Sequence, residues 1–245
     1  MLGRWRPLLV GLCTFVVGML IFFPARVAYQ WFAPPALVVG GISGSVWSGS
    51  AAEAAVAGVY LRNLRWRINA AALFSGDLSY SIAASPVNGF VEATVALSMA
   101  GTITVSDLSA SLPLRAMESA SGISGLDGTL SLRFQRLTIT NGVLVAADGI
   151  AEIADLVVPV VQRGSIGGYR AEFFTGESGV TVSIEDTDGL IDLAGSLQLG
   201  PGSNYRFMGQ LAAKPETPEN VRQQMRFLPS TGKAGQYEFR LEGQL

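Results

Sequence analysis

Apolar and polar residues alternate along most of this chain with the period of a β-strand. Leu130, Leu132 and Phe134 alternate with polar neighbours, and Val180–Ile184 and Tyr237–Leu241 repeat the pattern. A period of two is typical of a sheet that has one buried face and one wet face. Pairs whose residues tolerate positive φ separate these segments: Asn88-Gly89, Asp127-Gly128, Asn141-Gly142, Asp148-Gly149 and Asp188-Gly189. The pattern predicts a mainly β, antiparallel, meander-like domain built from hairpins.

Three segments place apolar residues on both faces of the predicted strands: Val143–Val145, Ile150–Ile153 and Leu156–Val161. Central strands inside a sandwich or a covered sheet have this composition. A curved open sheet has it too, if its apolar inner face holds a lipid or a strand of a partner. The sequence is compatible with both architectures.

Helical patterns are scarce in the same region. Pro218–Phe227 predicts one helix, with Thr217 as its N-cap and proline at its first position. The apolar face of this helix is expected to carry Val221, Met225 and Leu228. A shorter helical turn is predicted at Leu114–Glu118.

An uncharged apolar stretch near the start of the chain predicts a membrane anchor. No charge occurs from Pro7 to Ala25, and 19 residues are enough for a helix to cross a hydrocarbon core of about 30 Å. Arg4 and Arg6 precede the stretch, which favours a cytoplasmic N-terminus and an exported body. A cleavable signal peptide is the alternative, but no small-x-small cleavage site follows Phe23. We therefore predict a retained single-pass helix.

These patterns divide the chain into four parts. They are a cytoplasmic N-terminus at 1–6, a transmembrane helix at 7–25, a spacer at 26–39 and a periplasmic β domain at 40–245. The spacer contains Pro34-Pro35, a pair that disfavours helix and predicts a short, stiff connection. Such a connection would hold the β domain close to the bilayer.

The charge and cysteine content narrow the class of protein. The chain has 17 basic and 19 acidic residues and a net charge of −2, which is too near neutral to attract nucleic acid. Its single cysteine, Cys13, lies inside the apolar stretch. The β domain therefore contains no disulfide and depends on its own packing.

The residues that usually carry catalysis are missing or wrongly placed. The sequence has no histidine, which removes the commonest general base and zinc ligand and any Ser-His-Asp arrangement. Ser230–Lys233 matches the letters S-x-x-K, but Gly232 favours a turn over the helix that this motif needs. Glu185–Gly189 resembles the start of a calcium loop, but glycine stands where the bidentate glutamate belongs. We expect no enzyme, no cofactor and no metal site.

Two tryptophan-containing segments and the pieces that follow them resemble a known family. Gly40–Ala51 reads GGISGSVWSGSA, Leu61–Ile68 reads LRNLRWRI, and Leu73–Leu78 reads LFSGDL. In this order they are similar to the type II secretion system protein N family, and the match runs nearly from end to end. Ser45 replaces a threonine that is usual there, and a proline often found after the second tryptophan segment is missing.

The resemblance implies a single-pass inner-membrane protein of a Gram-negative envelope that faces the periplasm. It implies a non-enzymatic role as a scaffold or accessory subunit in the export of folded proteins across the outer membrane. The partners would be other secretion-system subunits in the inner membrane and the periplasm, and the family supplies no catalytic residues. A more distant similarity to AsmA-type envelope proteins gives the alternative, lipid handling by an apolar β groove. An unrecognised periplasmic hydrolase is a third, weaker hypothesis.

Four residues are candidates for contact with a partner: Trp47, Trp66, Arg65 and Arg67. The tryptophans could form a binding patch, although tryptophans in strands commonly anchor a core. The arginines could bind lipid head groups or an acidic partner, although a strand face exposed to water has the same composition.

Overall fold

The computed structural model describes residues 5–33, 37–56, 58–162, 164–177, 179–200, 204–225 and 236–244. It begins with two helices, α1 (Trp5–Ile21) and α2 (Ala25–Phe32). The strands of the first half are β1 (Leu37–Gly40), β2 (Ser43–Gly44), β3 (Ser48–Val56), β4 (Val59–Ile68), β5 (Asp77–Pro86), β6 (Phe90–Ser98) and β7 (Thr102–Pro113). Those of the second half are β8 (Asp127–Thr140), β9 (Val143–Val157), β10 (Tyr169–Gly176), β11 (Gly179–Asp186), β12 (Ile191–Leu199), β13 (Asn204–Ala213) and β14 (Gln236–Gln244). Short helices interrupt them: 3-10 turns at Ala70–Ser75 and Leu114–Met117, α3 (Glu118–Ser121) and α4 (Glu219–Met225).

All fourteen strands formed by the described residues belong to one antiparallel sheet. Its order is β1-β3-β4 and then every strand in sequence to β14, while β2 also pairs with β3. The first and last strands on this path do not pair with each other. The predicted antiparallel meander is therefore confirmed as an open sheet, and the sandwich is excluded for the described residues.

The pairing register gives the sheet two chemically different faces. Residues directly opposite each other on neighbouring strands share a face. One such row crosses five strands with apolar or small residues: Leu132, Ala151, Ala171, Ile184 and Gly195. The adjacent row crosses the same strands mainly with polar residues: Ser131, Glu152, Arg170, Glu185 and Ala194. The period of two in the sequence thus becomes an apolar face and a polar face.

The best-packed part of the apolar face lies on β8 to β11. Phe134, Ala147, Val180 and Val182 are buried there and form one cluster. The rings of Phe134 and Phe173 meet edge to face with centroids 5.0 Å apart, the arrangement that aromatic quadrupoles favour. Few other large side chains in the described residues are fully buried, so the core is thin and spread along the sheet.

The prediction of a turn at Asp148-Gly149 is wrong, because both residues lie inside β9. Asp148 accepts hydrogen bonds from Arg136 Nη2 at 2.9 Å and from the Thr175 N–H at 3.0 Å, and so ties three strands together. Burial raises the pKa of Asp148, but these hydrogen bonds outweigh it and leave the pKa below its ordinary value. A Cβ on Gly149 would lie 2.4 Å from the Arg133 carbonyl oxygen. The pair therefore marks an irregularity in the β8–β9 register, which shifts between Phe134 and Arg136.

The other predicted turns have mixed outcomes. Asn141-Gly142 joins β8 and β9 with φ of 52° and 79°, as a tight hairpin requires. Asn88-Gly89 and Asp188-Gly189 also lie between strands. Asp127-Gly128 does not, because it begins β8 and Gly128 allows close approach to the Ala154 carbonyl oxygen. The predicted strand Leu156–Val161 is only partly correct, since β9 ends at Val157.

Aromatic side chains cover glycines on the opposite strand at several places. The cross-strand pairs are Trp66 with Gly49, Phe134 with Gly149, Tyr205 with Gly243 and Phe239 with Gly209. At Gly49, Gly209 and Gly243 an added Cβ would lie within 3 Å of the aromatic ring or phenol oxygen. The large ring fills the space that the glycine leaves empty, which protects an otherwise weak strand position.

Helix α4 confirms the predicted C-terminal helix, but it begins one residue later than expected. The carbonyl of Pro218 accepts the first helical bonds, from the N–H groups of Val221 and Arg222. The Thr217 hydroxyl instead accepts a bond from the Lys214 N–H and donates to the Leu190 carbonyl, which ties the helix to the β11–β12 connection. Val221 and Met225 are buried as predicted, while Leu228 and Ser230–Lys233 lie outside the described residues. The predicted turn at Leu114–Glu118 is confirmed.

The N-terminal segment is helical over a longer stretch than predicted. Helix α1 corresponds to most of the predicted span at 7–25, and α2 occupies part of the predicted spacer at 26–39. Pro34-Pro35 lies outside the described residues, and α2 ends just before that pair. Within the residues that the structure describes, no helix has both the length and the apolar character required to cross a membrane.

We expect Gly149→Ala to lower the free energy of unfolding by about 1–3 kcal/mol, since the new methyl group overpacks a site beside Phe134. Gly176→Ala is the matched control, because the nearest atom to its Cβ would be at an ordinary 3.8 Å. Denaturant unfolding of both variants measures the difference. Equal stability of the two variants would contradict the close approach described for Gly149.

A second prediction concerns Asp186, whose side chain is 9% exposed and is paired with Lys214. Burial raises the pKa of Asp186, but the bonds from Lys214 Nζ and the Leu193 N–H outweigh it and lower the pKa overall. A lowered pKa contributes stability above the ordinary carboxyl value of about 4, and this contribution is lost as the pH falls through the folded pKa. We expect Asp186→Asn to cost about 1–3 kcal/mol at neutral pH.

The same comparison made at a pH below the lowered pKa of Asp186 should show a smaller cost, because only there is Asp186 protonated in the folded unmodified chain. Glu185→Gln on the polar face is the control and should change stability little. Chemical unfolding at several pH values measures both variants. A cost for Asp186→Asn that does not depend on pH would contradict the ion pair.

Candidate functional site

The two N-terminal helices are joined to the sheet through Trp47. The Trp47 indole Nε1 donates a 2.7 Å hydrogen bond to the Leu20 carbonyl oxygen in the last turn of α1. Carbonyls in the last turn of a helix lack their usual partner four residues later. The Leu20 carbonyl also accepts from the Phe23 N–H at 3.3 Å, so the indole adds a second, shorter bond. Close by, the Val46 N–H donates to the Phe23 carbonyl at 3.0 Å, and Pro24 forms a β-bridge with Ser45. Trp47 therefore closes a junction between the end of α1 and the start of β3.

Trp66 makes the second layer of this junction. Its Nε1 donates to the Ser45 carbonyl at 3.1 Å, and its ring lies against Gly49 on β3. The Ile68 N–H of the same strand donates to the Trp47 carbonyl at 2.7 Å. The two tryptophans thus hold the Ser45–Ser48 turn from two sides. We call Trp47, Trp66, Ser45, Phe23 and Leu20 the tryptophan junction.

Helix α2 turns back along the first strands and is fastened by Tyr29. The Tyr29 hydroxyl donates to the Leu37 carbonyl at 3.2 Å and accepts from the Val39 N–H at 3.1 Å. Both partners belong to β1, so the phenol satisfies backbone groups at the edge of the sheet. An apolar cavity of about 230 Å³ lies under the helix, lined by Ala28, Tyr29, Val39, Val46, Leu64 and Trp66 among others.

Aromatic side chains project outward beside the junction. The ring centroids of Phe23 and Trp31 are 6.2 Å apart, and those of Trp31 and Phe32 are 6.3 Å apart. Trp31, Phe32 and neighbouring Phe22 are mostly exposed. A cluster of large exposed rings next to an apolar helix is costly in water and is typical of an interaction surface.

Arg65 and Arg67 lie on the other face of the sheet from Trp66, because they alternate with it on β4. They line an open groove of about 640 Å³ together with serines and with Glu92 and Asp107. Both arginines are exposed, and within the described part of the chain no carboxylate lies within ion-pair distance of either one. The guanidinium groups are available to an external carboxylate or phosphate.

The structure thus divides the four candidate residues into two sites. Trp47 and Trp66 join parts of the chain itself through their indole hydrogen bonds. Arg65 and Arg67 present charge on the polar face. The sequence did not indicate the roles of Leu20 and Tyr29, since a carbonyl acceptor has no sequence signature and the tyrosine stands in a segment predicted as spacer. Among the described residues, no group of three or more acidic or cysteine side chains is placed to hold a metal ion.

Comparison with known proteins agrees with the resemblance that the tryptophan segments suggested. A family model described as "Type II secretion system (T2SS), protein N" matches residues 35–240. The chain is 24% identical over 245 residues to a protein of Vibrio cholerae serotype O1 named type II secretion system protein N, and the match covers 94% of each chain. No solved structure matches the chain.

We expect Trp47→Phe to loosen the junction, because phenylalanine keeps an aromatic ring but cannot donate to the Leu20 carbonyl. Loss of one hydrogen bond costs about 0.5–1.5 kcal/mol, so the Val46 amide should exchange its hydrogen up to about ten-fold faster. Hydrogen exchange read by mass spectrometry or NMR measures this rate. Trp31→Phe is the control, because it keeps a ring beside Phe23 and removes an indole that makes no hydrogen bond to the described residues. Equal exchange rates in the two variants would contradict the role of Trp47.

Proposed function

This chain belongs to the type II secretion system protein N family, and we propose that it serves that system as a non-enzymatic scaffold held at the inner membrane and facing the periplasm. The family match over residues 35–240 is the observation that carries the proposal. It includes both tryptophan segments and nearly the whole sheet. The comparisons favour this family over the AsmA-like alternative.

The anchoring part of the proposal is supported by the surface of α1. Apolar side chains on all sides of this helix are about half exposed or more: Val10, Leu12, Phe15, Val17, Met19, Leu20 and Ile21. Such a helix is stable in hydrocarbon and costly to expose to water. Its 17 residues rise about 25 Å, and Phe22 and Phe23 extend the apolar surface toward the core thickness of about 30 Å.

The orientation is supported by the residues at the two ends of α1. Arg4 stands before the helix and Arg6 in its first turn, as expected for a cytoplasmic end, and a single arginine, Arg26, follows it. Trp31 and Phe32 lie just beyond the other end, where large rings favour the boundary between lipid and water. We propose the division of the chain into 1–6, 7–25, 26–39 and 40–245 on this basis, with the sheet in the periplasm.

The non-enzymatic part is supported by the chemistry of the carboxylates. A catalytic acid needs a pKa raised toward neutrality. Hydrogen bonds to Arg115 and to the Gly128 N–H lower the pKa of Asp127, and bonds to Arg240 and Arg206 lower that of Glu242. Asp148 and Asp186 are also held ionised, despite partial burial. These groups have structural ion-pair roles, and the sequence offers no histidine to replace them.

The scaffold role is assigned to the polar face of the sheet beside the junction. Arg65 and Arg67 stand on adjacent outward positions of β4, above the groove that Glu92 and Asp107 close on its other side. This combination suits a strand or loop of another secretion subunit that offers carboxylates to the arginines. Because the tryptophan junction fixes these strands relative to α1, the groove would be held at a constant distance from the membrane.

Charge reversal tests this assignment. In cells that depend on this chain for secretion, the double variant Arg65→Glu and Arg67→Glu should lower export of a secreted enzyme about ten-fold or more, since losing 1.4 kcal/mol of binding costs a factor of ten. Lysine replacements at the same positions should retain most export. Arg240→Glu is the control, because Arg240 lies on the polar face of β14, at the opposite edge of the sheet from the groove.

Photocrosslinking provides an independent readout. A photoreactive residue at position 65 or 67 should capture a secretion-system subunit, and one at position 240, on the far strand β14, should not. Normal export by the charge-reversed variant at normal protein levels, together with no subunit captured, would overturn the scaffold proposal.

A further inference from the structure

The sheet has two ends, and the tryptophan junction identifies one of them. In an antiparallel meander, alternate hairpin connections lie at the same end. Ser48 at the start of β3 pairs with Arg67 at the end of β4, and Asp77 at the start of β5 pairs with Ser98 at the end of β6. The β4–β5 and β6–β7 connections therefore lie at the end of the sheet where α1 is attached. We call them the proximal tips.

Large apolar side chains project from both proximal tips. Phe74 and Met99 are each 97% exposed, and Leu73 is about half exposed. No charged residue occurs from Asn69 to Gly76 or from Ser98 to Gly101. Fully exposed side chains of this size on uncharged turns are unusual on a surface that meets only water.

Both tips are well-defined turns. At the first tip, Asn69 Oδ1 accepts from the Ala71 N–H at 3.3 Å, and the 3-10 turn ends at Gly76 with φ of 85°. At the second, the Gly101 N–H donates to the Ser98 carbonyl at 3.0 Å, and the Ser98 hydroxyl accepts from the Thr102 N–H at 3.2 Å. The turns therefore hold Phe74 and Met99 in an outward position.

Among the described connections at this end of the sheet, the apolar ones are the two nearest α1. Farther along the sheet, the described connections at the same end are polar: Asn141-Gly142 after β8 and Glu177 after β10. Strands lie about 4.8 Å apart, so the proximal tips are about 7 and 17 Å from β3 along the sheet. Each strand is also rotated by about 20–25° from the last, which turns the later tips away from the direction of the first ones.

We propose that Phe74, Leu73 and Met99 insert into the interfacial region of the bilayer that holds α1. The ligand is a lipid surface, at the boundary between head groups and acyl chains, where uncharged turns with aromatic and aliphatic side chains are stable. This inference rests on the proposed anchoring by α1. The sheet is then fixed to the membrane at three points, the exposed rings beside the junction and the two proximal tips.

Depth-dependent fluorescence quenching tests the inference on the full chain. Single-cysteine variants at Val17, Phe74, Met99 and Val160 are made in a Cys13→Ser background and labelled with an environment-sensitive dye. The protein is reconstituted in phosphatidylcholine–phosphatidylglycerol vesicles with or without brominated acyl chains. Val160 is the matched control, since it is apolar and 79% exposed but lies in the β9–β10 connection at the opposite end of the sheet.

The expected result is a blue shift and at least two-fold quenching at positions 17, 74 and 99, with neither effect at 160. Quenching at 17, with 74 and 99 as unresponsive as 160, would overturn this inference and leave the anchor in place. Quenching at 74 and 99 but not at 17 would support the tip contact and overturn the proposed anchor. Equal quenching at 160 would also overturn the inference, because the contact would not be specific to one end of the sheet.

Discussion

Backbone hydrogen bonding between consecutive strands is the interaction on which this structure depends. The described residues bury few large side chains completely, and the tightest cluster involves only Phe134, Ala147, Val180 and Val182. Cohesion therefore comes from the ladders, and their register keeps one face apolar from β3 to β14. A slip of one residue in any ladder would transfer that strand's apolar side chains to the wet face. Glycine–aromatic pairs stabilise the register at strand positions that glycine would otherwise weaken, and bulges accommodate the places where the register shifts.

Much of the sheet was predictable, because alternation by two is a local property of the sequence. The strands, the Asn141-Gly142 hairpin and the C-terminal helix all follow from nearby residues. The failures have a common cause in contacts from distant strands. Asp148-Gly149 has the composition of a turn, yet the partners of Asp148 are Arg136 on β8 and Thr175 on β10. Thr217 is a residue type expected at a helix N-cap, yet its hydroxyl donates to the carbonyl of Leu190, 27 residues away in sequence.

In the candidate site, too, contacts between residues distant in sequence were not predictable. The sequence pattern indicates both tryptophans as candidates, and their spacing agrees with their positions on neighbouring segments. It did not show that the Trp47 indole would reach back 27 residues to the Leu20 carbonyl. Nor did it show that Arg65 and Trp66 would serve different purposes on opposite faces. Helix α2 was not predicted. The pair Pro34-Pro35 disfavours helix only near its own position, whereas the prediction extends its effect to the whole spacer at 26–39.

The strict pairing of each strand with its predecessor has a consequence for how the chain folds. From β3 onward every ladder on the path joins a strand to the next one in sequence, so no strand has to pair with a distant part of the chain. The sheet can grow vectorially, one hairpin after another, onto a template edge supplied by β3 and β4. In such growth, an N-terminal strand can become ordered before any strand that is C-terminal to it. A chain that emerges gradually from a translocation pore can therefore fold as it arrives.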